Sequence, residues 1–140
     1  EATVMETAGN KAGVSICYEL AFPDLVRQAV KNGANFLVNV TNDAWFGKSA
    51  ASYQHMSMGV LRAVENRMPL VRVANTGISG TIEATGNIRD ETDLFVEDFR
   101  ITLIAPATKK KTFYSLNGDV FSWMCLFATC IGGVFWFRKN

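Results

Sequence analysis

The sequence predicts an α/β fold built on a mixed sheet. Strand and helix patterns alternate between residues 13 and 74, the strand runs are continuously apolar, and hairpin-type turn signals follow. Alternation of this kind makes parallel crossovers. Unbroken apolar runs belong to a sheet covered on both faces.

Gly13-Val14-Ser15-Ile16-Cys17 reads as a strand ending at Cys17. Pro23 suits the first turn of a helix, where its missing N–H costs nothing, and Asp24 suits the positive helix end. Leu25, Val26, Ala29 and Val30 give that helix an apolar stripe, and Asn32-Gly33 stops it. Residues 36–40 form the next strand. Residues 41–52 read as a polar loop that nevertheless holds Trp45 and Phe46. Helical spacing runs over 53–66, with Met56, Val60, Leu61 and Val64 on related faces and Pro69 beyond. Residues 70–74 are a third strand. The turn Asn75-Thr76-Gly77 leads to a fourth over 78–82, Thr85-Gly86-Asn87 makes another turn, and a last strand is predicted over 99–104.

Composition narrows the function classes. Lys and Arg number 14 against 13 Asp and Glu, a net charge of +1, and no basic stripe points to nucleic acid. Cys17, Cys125, Cys130 and the sole histidine, His55, have no zinc-site spacing, so no metal is expected. No signal peptide is visible. Glu1 opens without an initiator Met, which leads to the expectation that the chain is a fragment.

Residues 120–137 carry no charge. That length is near the lower end of the roughly 17–25 residues needed to cross a bilayer. Trp123 and Trp136 stand near its ends, and Arg138-Lys139 follow. The stretch is expected to be a transmembrane helix. Charge leaves its orientation open, because Lys109 to Lys111 oppose Arg138 and Lys139.

Cys17 ends a strand, precedes a helix and is followed by Tyr18-Glu19. Strand termini in α/β sheets face the ligand crevice, so Cys17 is a candidate nucleophile; an inert core thiol is the alternative. His55 is read as a helix-start residue, not as a base for Cys17. Gly77 and Gly80 are read as turn and close-approach glycines.

At these residues the chain resembles the nitrilase, or carbon–nitrogen hydrolase, superfamily. The segment Ile16-Cys17-Tyr18-Glu19-Leu20, continued by Phe22-Pro23-Asp24-Leu25-Val26-Arg27, is similar to its nucleophile segment. Thr41-Asn42-Asp43-Ala44-Trp45-Phe46-Gly47 with Gln54-His55, Arg62-Ala63-Val64-Glu65-Asn66, and Arg72-Val73-Ala74-Asn75-Thr76-Gly77-Ile78-Ser79 narrow the resemblance to the membrane branch that N-acylates lipoproteins.

That resemblance implies part of a four-layer αββα sandwich over residues 1–108, a linker over 109–119, a membrane helix over 120–137 and a cytoplasmic tail over 138–140. The catalytic domain would lie outside the bacterial inner membrane. The implied chemistry is transfer of an acyl chain from a phospholipid to Cys17, then to the amino group of an apolipoprotein's diacylglyceryl-cysteine, without a cofactor. A Glu base and a Lys, both upstream of the nucleophile segment, would complete the site, so this chain alone is expected to be inactive. Tyr18 and Glu19 fall at positions that matter for activity. For Glu19 a structural carboxylate satisfying backbone donors is an equal alternative. Trp45 and Phe46 are expected to meet lipid. Two other readings stay open: a small-amide amidase, against which Ala21 and the apolar tail count, and a non-catalytic tethered module.

Overall fold

The computed structural model describes residues 2–108 and 111–139; Lys109, Lys110 and Asn140, which entered the linker, orientation and tail readings, lie outside the described residues. Six strands form one sheet in chain order: β1 (Thr3–Thr7), β2 (Asn10–Ile16), β3 (Phe36–Asn42), β4 (Leu70–Asn75), β5 (Gly80–Ile82) and β6 (Ile88–Arg89). β2, β3 and β4 are parallel, and the antiparallel β1 and β5–β6 flank them. The helices α1 (Pro23–Lys31) and α2 (Ala50–Asn66) make the two crossovers between the parallel strands.

Both helices lie on the sheet face that carries Leu37, Leu70 and Ile82. Val26, Val30, Met56, Ala63 and Leu20 complete the core there. Pro23 and Asp24 begin α1 as expected. α2 starts earlier than its apolar spacing shows, because Ser49 caps it by accepting from the Ala51 N–H. On the opposite face, register aligns Ile16 with Val40 and Val40 with Val73, and all three are exposed.

One expectation is corrected. Residues 99–104 are irregular, with Phe99, Ile101 and Leu103 exposed, and Thr102 meets β5 through a side-chain hydrogen bond from Thr81. The stretch read as linker contains α3 (Phe113–Asn117), capped by Thr112. The expected bilayer span folds as α4 (Val120–Lys139), but among the described residues no helix is long and apolar enough to cross a membrane.

Candidate active site

Cys17 lies at the carboxyl end of β2, where a single 3₁₀ turn (Cys17–Ala21) leads towards α1. The parallel strands β2, β3 and β4 end side by side, so this edge holds Cys17, Asn42 and Asn75. Cys17 has φ +52°, the left-handed region, which costs a non-glycine residue about 1–3 kcal/mol. Strain of this kind persists only where surrounding contacts impose it.

Those contacts lie beneath the turn. Asn39 Nδ2 and His55 Nε2 stand 3.2 and 3.3 Å from the Cys17 carbonyl oxygen. A carbonyl only accepts, so both groups donate, and His55 carries a proton on Nε2. His55 Nδ1 is 3.0 Å from Asp43 Oδ1 and 3.1 Å from Arg72 Nη2. Arg72 donates to Asp43 Oδ2 at 2.8 Å, to Asn39 Oδ1 and to the Ile78 carbonyl. Thr41 Oγ1 donates to Asp43 Oδ1. The Arg72 and Asp43 side chains are both fully buried. Burial pulls the Arg72 guanidinium below its usual value, while Asp43, and beyond it Cys17, hold it up.

Glu19 closes the turn from the other side, its Oε2 accepting the Ile16 N–H at 2.7 Å. Arg62 on α2 donates to the Ala21 carbonyl at 3.3 Å and is paired with Glu65. Tyr18 lies over His55 with ring centroids 5.8 Å apart, and Phe46 meets the same imidazole edge-on at 6.3 Å. Trp45 diverges from its neighbour and is 80% exposed.

The structure therefore gathers Cys17, Tyr18, Glu19 and Phe46 at one strand end and turns Trp45 outward. His55 faces the Cys17 backbone carbonyl, in keeping with its exclusion as a base. Asn39, Asp43 and Arg72 were not among the residues singled out for the site, although Asp43 and Arg72 sit inside quoted motifs. A signal existed: Asn39 and Arg72 interrupt strand runs that are otherwise apolar, and a buried polar group needs a partner. Among the described residues no group of three or more His, Cys, Asp or Glu could hold a metal ion.

Cys17 thus stands at the end of a parallel strand in a strained turn, the side of an open α/β sheet at which ligands bind. The chain belongs to the carbon–nitrogen hydrolase family, whose profile matches residues 1–113. Its curated relatives include the apolipoprotein N-acyltransferase of Geobacter metallireducens, 45% identical over 136 residues, which is 97% of this chain and 26% of that protein. The apolipoprotein N-acyltransferase of Thermotoga maritima is 44% identical over 114 residues, 79% of this chain and 22% of that protein. The chain thus spans about a quarter of the length of these relatives. Among solved structures it is similar to a Saccharomyces cerevisiae member of branch 10 of the nitrilase superfamily, with TM-score 0.59 and 22% identity over 67% of this chain and 37% of that one. A carbon–nitrogen hydrolase of Helicobacter pylori superposes with TM-score 0.57 at 17% identity, covering 64% of this chain and 39% of that one. Those two likenesses establish the fold.

Proposed function

We propose that this chain carries the nucleophile of an apolipoprotein N-acyltransferase. The supporting observation is Cys17, set in the left-handed turn at the end of β2, in a chain 45% identical to an enzyme of that name. The Cys17 thiolate attacks the sn-1 ester carbonyl of a phospholipid, and the resulting oxyanion is met by the Tyr18 backbone N–H. The C–O bond then breaks, the lysophospholipid leaves as an alcohol after taking a proton, and the acyl group stays on sulfur as a thioester. The α-amino group of a diacylglyceryl-cysteine attacks the thioester, loses a proton to the base, and expels the thiolate. The Glu base and the Lys implied by the family resemblance come from a preceding segment that covers the exposed face around Ile16, Val40 and Val73. Without that segment the chain is inactive.

Glu19 and Tyr18 shape the nucleophile turn, and Phe46 and Trp45 meet the acyl chain. α4, with Phe121, Trp123, Phe127, Val134 and Phe135 exposed, holds the enzyme against the bacterial inner membrane, the catalytic face on the outer side. A photoreactive probe dissolved in the bilayer should label α4; labelling confined to other segments would contradict its lipid contact. An amidase reading has fold likeness behind it, but Ala21 and the exposed apolar α4 favour an acyl-chain substrate.

The test is acylation of a diacylglyceryl-peptide by the full-length protein in detergent with phospholipid as donor. Cys17→Ala is expected to abolish transfer and Cys17→Ser nearly so. Turnover at the wild-type rate by Cys17→Ala would exclude Cys17 as the nucleophile.

A further inference from the structure

A peptide unit is planar and trans, so its C=O and N–H point in opposite directions. The carbonyl of Cys17 and the N–H of Tyr18 belong to one such unit. Whatever holds the carbonyl therefore aims the N–H. Here the carbonyl is held from below by two donors, Asn39 Nδ2 and His55 Nε2.

Neither donor is free to turn. The Arg72 guanidinium donates to Asn39 Oδ1, which fixes the amide so that Nδ2 faces Cys17. It also pairs with Asp43, and Asp43 Oδ1 stands against His55 Nδ1. Thr41 Oγ1 donates to that same Asp43 oxygen. The backbone above leaves Asp43 no room to move: a Cβ on Gly77 would lie 2.5 Å from Asp43 Oδ2. His55 is packed by the rings of Tyr18 and Phe46. Asn39, Asp43, His55 and Arg72 are each no more than 2% exposed, too deep for substrate to reach.

We propose that Asn39, Asp43, His55 and Arg72 are positioning residues that anchor the Cys17 carbonyl in the sheet and thereby aim the Tyr18 N–H at the oxyanion formed on acylation. The inference rests on the reading of Cys17 as the acyl-accepting nucleophile. It makes the cluster an aiming device for one hydrogen-bond donor. A general base for the thiol is excluded by geometry, because His55 Nε2 is occupied by the Cys17 carbonyl. The arrangement also accounts for φ +52° at Cys17, since the left-handed turn is what brings its carbonyl onto the two donors.

Acylation and alkylation separate this role from a structural one. Attack on an ester builds an oxyanion, whereas attack on iodoacetamide at its saturated carbon builds none. In the full-length protein, His55→Leu removes the donor and His55→Gln keeps an N–H at similar reach. Asn39→Asp replaces the second donor by an acceptor while leaving Arg72 a partner. We expect His55→Leu and Asn39→Asp to slow the maximal rate of thioester formation from phospholipid roughly 10²-fold, the scale of a 1 Å misplacement. The phospholipid concentration at half-maximal rate should stay unchanged, and alkylation of Cys17 by iodoacetamide should change far less than acylation. His55→Gln should recover most of the acylation rate.

Wild-type acylation in both His55→Leu and Asn39→Asp would overturn the inference. So would a parallel fall in acylation, alkylation and melting temperature with no rescue by His55→Gln. If Cys17→Ala still acquires an acyl group, the nucleophile reading itself fails. If Cys17→Ala is dead while His55→Leu and Asn39→Asp are normal, only the positioning role fails.

Discussion

Arg72 is the residue on which the buried cluster turns, since it bridges Asp43, Asn39 and the Ile78 carbonyl from a fully buried side chain. Removing one member of a buried ion pair strands the other, at a cost of about 3–5 kcal/mol. Arg72→Met is therefore expected to destabilise the full-length protein by that amount in urea unfolding; a loss below about 1 kcal/mol would mean that Asp43 finds another partner. Gly77→Ala should act on the same cluster without touching it chemically, because the new Cβ would drive into Asp43. Acylation is expected to fall with it, and an unchanged rate would show that Asp43 can shift freely. At this scale the sequence was half legible. Cys17, Tyr18 and Glu19 were visible as a strand-end motif, and Gly77 as a turn glycine. The partners of His55 were not, because Cys17 follows β2, Asp43 follows β3 and Arg72 lies in β4, and they meet only after folding.

Among the elements, α3 ties the carboxyl-terminal segment to the catalytic layer. Ser115 donates to the Asn66 side chain at 2.9 Å, and Thr112 donates to the Glu65 carbonyl at 2.7 Å. Ser115 is wholly buried, so Ser115→Ala leaves Asn66 Oδ1 without that donor, costing about 1–3 kcal/mol. Hydrogen exchange over residues 112–118 should accelerate in that variant, and unchanged protection would dismiss the latch. Burial raises Glu65 above the usual carboxylate range, outweighing Arg62, which lowers it. An acid with a raised folded value binds more protons folded than unfolded, so stability declines as pH rises from the ordinary carboxylate value through the raised one. Glu65→Gln should flatten that decline in a pH series of thermal melts; an identical slope would remove Glu65 as its source. Apolar periodicity made α1 readable and an unalternating apolar run did so for β3, whereas α3, five residues long, offers too little of either. The strand expected over 99–104 is absent although its composition fits one: Thr102 meets β5 through the Thr81 hydroxyl and not through a backbone ladder.

For the molecule as a whole, the helical side of the sheet is finished and the opposite side is not. Ile16, Val40 and Val73 align across three parallel strands and face solvent. A β-branched apolar row of this kind requires a cover, and a second sheet layer is the cover proposed for it. The α/β class was readable because parallel strands with helical crossovers leave continuous apolar runs. The exposed face was not, since the same runs are written for a sheet covered on both sides. The central claim, that Cys17 accepts an acyl group, is tested most directly by the mass of the full-length protein after incubation with phospholipid and no acceptor. One acyl chain should be added, released by hydroxylamine and absent from Cys17→Ala. An adduct that survives hydroxylamine, or that persists in Cys17→Ala, would contradict the account.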